Sequence, residues 1–67
     1  MLNFDTPLRR LRLAAGLTQA QLAAASGVNP RQIQRVESGA SKAENLTLKN
    51  AVALAAALGV GVEDLIE

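Results

Sequence analysis

The sequence predicts an all-α domain of five short helices, and three observations carry that reading. Of the 67 residues, 49 % are hydrophobic, mostly alanine and leucine, with Phe4 the lone aromatic; unbranched helix formers dominate over the residues that strands favour. Helix-start signatures recur along the chain, three of them a Thr or Asn cap followed by proline or glutamine. Between them, apolar residues return at spacings of three and four, the period of a helix face. The length is that of one domain, spanning 1–67.

Thr6 followed by Pro7 is a cap with proline at the first helical position, where its missing N–H costs nothing. This helix is expected to run to about Ala15, stop at Gly16 and bury Leu8, Leu11 and Ala15. Thr18 with Gln21 three residues on is a capping box opening a second helix over about 19–25, closed near Gly27. Asn29, Pro30 and Gln32 open a third, ending at Ser38 and Gly39. A polar loop over 40–46 leads to Thr47, cap of a fourth helix whose apolar face reads as Leu48, Ala51, Val52, Ala55 and Leu58. Gly59 ends it. A fifth short helix starts at Gly61, with Glu63 and Asp64 in the first turn, where carboxylates suit the helix dipole. Leu65 and Ile66 then fold back on the core.

Composition removes several function classes. Cysteine and histidine are absent, which excludes disulfides, Cys/His zinc sites, and catalysis by a histidine base or cysteine thiolate. The longest apolar stretch, residues 51–60, falls short of the roughly 20 residues that cross a bilayer. Asp5 interrupts any secretory apolar region at the start, so a cytoplasmic location is expected. The adjacent Glu63 and Asp64 read as a helix first turn rather than a catalytic pair, and no nucleophile–base couple or phosphate loop is visible. Neither an enzyme, a metal, a cofactor nor a small-molecule ligand is expected. The net charge of +1 says little, but its distribution says more. Residues 1–42 hold six Lys/Arg against two carboxylates, whereas residues 43–67 hold one lysine against four. A molecule with one phosphate-facing side has this asymmetry.

Residues 18–38 form the informative unit. Two short helices flank Ser26, Gly27 and Val28, a connection that allows only a sharp turn, and Ala23 is small where the helices approach. Leu22, Val28, Ile33 and Val36 are the inward anchors of a helix-turn-helix. With Ile33 and Val36 inward, 100° per residue turns Arg31, Gln34, Arg35 and Ser38 outward. None of these is acidic. Arginine can bond guanine O6 and N7 bidentately, and glutamine can do the same with adenine.

Four stretches in order, LRRLR (8–12), GLTQAQLA (16–23), GVNPRQIQRVESG (27–39) and NLTLKNAVALAAALGVGVEDL (45–65), resemble the lambda-repressor-like (Cro/cI-type, XRE-type) helix-turn-helix family. The resemblance covers nearly all of the chain from Leu8 onward. It implies a sequence-specific binder of double-stranded operator DNA, a small transcriptional regulator and most simply a repressor, with the helix over about 30–38 in the major groove. It places Arg31 and Arg35 as main base readers, with Gln34, Asn29 and Pro30 also facing DNA. It gives Gln19, Thr18, Ser38, Ser41 and Lys42 to backbone phosphates. Arg12 and Glu37 match a family pair that forms an internal salt bridge, and a helical wheel sets Glu37 about 70° from the buried centre, as a half-buried partner.

Two positions depart from the family pattern. Pro30 stands where a polar base-contacting side chain is common, and proline offers only apolar contact, such as to a thymine methyl. Leu13 stands where relatives carry a polar residue; with Leu2 and Phe4 it could form an exposed apolar dimer contact. Relatives commonly bind as dimers on half-sites about one DNA turn apart. With no dimerisation domain in the sequence, a weak homodimer, or one formed only on DNA, is expected. The alternative is an antitoxin-like protein-interaction module, in which residues 60–66 and Leu2, Phe4 and Leu13 matter more than Arg31 and Arg35. The initial Met and compact ending favour a whole small regulator over a fragment.

Overall fold

Five side chains are at most 2 % exposed, and each comes from a different element: Leu8, Leu22, Ile33, Leu54 and Leu65. They meet in a computed structural model that describes residues 6–66. Around them stand helix α1 (Pro7–Ala14), α2 (Gln19–Ser26), α3 (Pro30–Glu37) and α4 (Leu48–Leu58). Two 3₁₀ turns, Ala43–Asn45 and Val62–Leu65, complete the described residues. Ala23, Val28, Val36, Ala51 and Ala55 fill the spaces between the five large side chains. Helix α2 packs on both α3 and α4, α1 packs on α3, and the last turn closes against α1 and α4.

The starts follow local chemistry. Thr6 Oγ1 accepts from the N–H of Arg9 at 3.4 Å, and Asn29 Oδ1 from that of Arg31 at 2.9 Å. At α2 the capping box is complete: Gln21 N–H donates to Thr18 Oγ1 at 3.0 Å, and Thr18 N–H donates to Gln21 Oε1 at 2.9 Å. Thr47 Oγ1 caps α4 by accepting from Asn50 N–H at 3.1 Å. Each satisfies donors that a helix geometry leaves without an internal acceptor.

Gly27 closes α2 at φ 75°, and its N–H donates to Ala23 O at 2.8 Å. Left-handed backbone here turns the chain sharply enough for α3 to start three residues later. A Cβ at Gly27 would meet nothing within 4 Å, so the need for glycine is one of backbone conformation alone.

The structure corrects the expected architecture in four places. Among the described residues there are four α-helices rather than five, because Val62–Leu65 is a single 3₁₀ turn held by Asp64 N–H to Gly61 O at 3.0 Å. Four residues support i to i+3 bonds but no α-helical ladder. Helix α1 ends at Ala14 with Ala15 as its cap, as expected, but Ala15 is exposed rather than buried. On α4 the buried face is Ala51, Leu54 and Ala55, while Leu48 is 75 % and Val52 48 % exposed. Leu65 enters the core as expected, but Ile66 is 44 % exposed. The loop over 40–46 also carries the unexpected turn Ala43–Asn45.

Candidate nucleic-acid interface

Helix α3 is strongly two-sided. Ile33 and Val36 are buried against the other helices, whereas Arg31, Gln34, Arg35 and Ser38 are exposed. The exposed row carries two guanidiniums and a carboxamide with no carboxylate, a donor-rich strip suited to guanine and adenine edges. Gln32 lies at the flank, and its Oε1 accepts from Asn50 Nδ2 at 2.8 Å. This bond ties α3 to α4 from behind and helps set the rotation of α3. Sequence reasoning missed it, since residues 18 apart meet only through packing.

Asn29 is exposed, its Oδ1 taken by the cap, which leaves its amide hydrogens outward. Pro30, also exposed, follows as the first residue of α3 and borders an open groove with Ala20, Ala24 and Gly27. Both therefore stand at the leading end of α3.

Arg12 and Glu37 meet between α1 and α3. Arg12 Nε donates to Glu37 Oε2 at 2.7 Å and Nη2 to Oε1 at 2.9 Å, a two-pronged pair. Arg12 Nη1 also donates to Leu17 O at 2.8 Å. Glu37 is only 3 % exposed, so it is fully buried rather than half-buried as the helical wheel implied. The wheel sees only α3; α1 and the start of α2 cover the rest of the carboxylate. Hydrogen bonding to Glu37 raises the already high pKa of Arg12, despite the opposing effect of burial. The guanidinium is therefore charged at every pH of biological interest.

Gln19 completes the cluster, its Nε2 donating to Glu37 Oε1 at 3.1 Å. An amide nitrogen carries two hydrogens. One is held by Glu37, which orients the side chain and leaves the second available. Beside it, the N–H groups of Gln19 and Ala20 have no intrahelical acceptor, as at any helix start. Thr18 is exposed and accepts within the capping box, with its hydroxyl hydrogen still available. No buried side-chain N or O among the described residues lacks a partner.

The remaining predicted phosphate residues divide. Ser38 joins Gln19 and Gln34 along one groove, but its Oγ donates to Arg35 O at 3.2 Å, so contact with another acceptor requires the hydroxyl to turn. Ser41 and Lys42 lie elsewhere, beyond the end of α3, in a cleft of about 380 Å³ shared with Thr6 and Pro7. The expected phosphate residues thus fall in two separate places on either side of α3 rather than one. Leu13 is 51 % exposed, while Leu2 and Phe4, the other members of the expected apolar patch, lie outside the described residues. No helix among the described residues is long and apolar enough to cross a membrane.

Against known proteins, the helix-turn-helix family model matches residues 8–65. Among solved structures, the restriction-modification controller protein C.AhdI from Aeromonas hydrophila is similar, at 38 % identity and a TM-score of 0.79. The similarity spans 94 % of this chain and 91 % of that one. No curated protein matches significantly. Capped helices, a glycine turn and a buried α1–α3 ion pair behind a donor-rich helix face agree with this match: the chain belongs to the XRE-type helix-turn-helix family of DNA-binding transcription regulators.

Proposed function

We propose that the protein is a sequence-specific operator binder that docks α3 in the major groove and acts as a transcriptional repressor. The observation that carries this is the outer face of α3, where Arg31, Gln34 and Arg35 are exposed together and no carboxylate stands among them. Arg31 and Arg35 read bases, Gln34 supports them, and Asn29 and Pro30 touch the site from the start of the helix. Gln19, Thr18 and Ser38 grip the backbone on one side of α3, and Ser41 and Lys42 on the other. Phosphate contacts supply affinity and base contacts supply specificity.

The longest dimension of the molecule is 31 Å, less than the roughly 34 Å between half-sites one DNA turn apart. One protomer reads one half-site, and two protomers on a palindrome form a weak homodimer or one assembled only on DNA. A cytoplasmic protein associated with the nucleoid is the matching location. The test is duplex binding by the wild type and by an Arg31→Glu/Arg35→Glu variant across a range of salt. Steep salt dependence in the wild type and loss of binding in the variant are expected. An affinity indifferent to salt, or a variant that binds equally well, contradicts the reading and favours a protein-interaction module.

A further inference from the structure

The groove that holds Gln19 and Ser38 has a wall the family resemblance did not assign. It is an open groove of about 230 Å³ lined by Arg9, Arg12, Gln19, Gln34, Glu37 and Ser38. Its one carboxylate, Glu37, is 3 % exposed and accepts three hydrogen bonds, two from Arg12 and one from Gln19. That negative charge is both covered and compensated. The lining residues keep hydrogen-bond donors in reserve: one amide hydrogen of Gln19 and two N–H groups of Arg12 have no partner in the cluster. Arg9, one turn before Arg12 on α1, adds a whole positive charge at the rim and pairs with no carboxylate among the described residues.

We propose that Arg9 supplies the positive charge of the backbone-phosphate grip that the proposed function already gives to Gln19 and Ser38 in this groove. The proposal rests on the DNA-reading function above. A duplex phosphate is favoured over a protein carboxylate because Gln34 belongs both to the groove wall and to the outward face of α3. An occupant of the groove therefore lies directly beside whatever Arg31 and Arg35 touch. Arg9 is a phosphate-binding residue in this account, not a base reader.

Arg9→Gln tests it cleanly, because the helix cap uses the backbone N–H of Arg9 and glutamine has a similar helix propensity. Binding is measured from low to high salt on a matched and a scrambled duplex, for the wild type, Arg9→Gln and Arg9→Lys, with thermal midpoints alongside. The expected result is a log–log salt slope reduced by about one per bound protomer in Arg9→Gln, an equal loss of affinity on both duplexes, and a slope retained in Arg9→Lys. An unchanged slope in Arg9→Gln overturns the proposal. So does a loss confined to the matched duplex, which makes Arg9 a base reader. Should the wild type itself show no salt-dependent duplex binding, the operator-binding function falls and the role of Arg9 with it.

Discussion

Arg12 and Arg35 are the same residue type on two helices that pack together, yet the fold gives them opposite surroundings. Arg12 is 8 % exposed, held by Glu37 and Leu17, and links α1 to α3. Arg35, on the outer face of α3, is exposed. A buried charge that loses its partner destabilises the fold, whereas an exposed one is free to be spent on a ligand. The comparison teaches that burial and partner, not residue type, separate an arginine that holds the fold together from one left available to a ligand.

The sharpest break in that comparison removes Glu37. Glu37→Ala strands the Arg12 guanidinium and is expected to cost about 3–5 kcal/mol, a large part of the stability of a small domain. Chemical denaturation checks it. Replacing both partners, as Arg12→Met/Glu37→Leu, is expected to recover most of that loss while DNA affinity stays reduced, because Gln19 has lost the carboxylate that orients it. Full recovery of both would show that Glu37 has no role in presenting Gln19.

The next effect concerns α4. Leu54→Ala is expected to destabilise by about 2–5 kcal/mol and Leu48→Ala by less than about 0.5 kcal/mol, read as denaturation midpoints. Here the sequence misled for a physical reason. Nine of the eleven residues of α4, LKNAVALAAAL, are apolar, so every rotation of the helix shows an apolar stripe. The one that is buried is chosen by how α2 and the last turn pack against it, which no periodicity reveals. Helix α3 was legible for the opposite reason. Only Pro30, Ile33 and Val36 are apolar among its eight residues, so its inward and outward faces follow from the period alone. The caps at Thr6, Thr18, Asn29 and Thr47 were legible too, since their chemistry is local. The Gln32–Asn50 bond and the Arg9 groove were not, because each joins elements distant in sequence.

On the reading side, Arg31→Ala and Arg35→Ala are each expected to lose about 1–3 kcal/mol of discrimination against a wrong base. Their folding stability should stay within about 0.5 kcal/mol of wild type, the mirror image of Glu37→Ala. Competition between matched and mismatched duplexes gives the first quantity and denaturation the second. Smaller again is Gly27→Ala, which meets no steric obstacle and is expected to cost about 1–2 kcal/mol through left-handed backbone alone. A cost well above that would mean that the turn also displaces α3, and DNA affinity would fall in step.

The central claim is that α3 reads sequence through Arg31 and Arg35, and selection of bound duplex from a random pool tests it most directly. The wild type should enrich a defined half-site, repeated about one helical turn apart where two protomers bind. Arg35→Ala should enrich the same site with preference erased at particular base pairs and the others unchanged. An identical preference at every position in the variant would contradict the account.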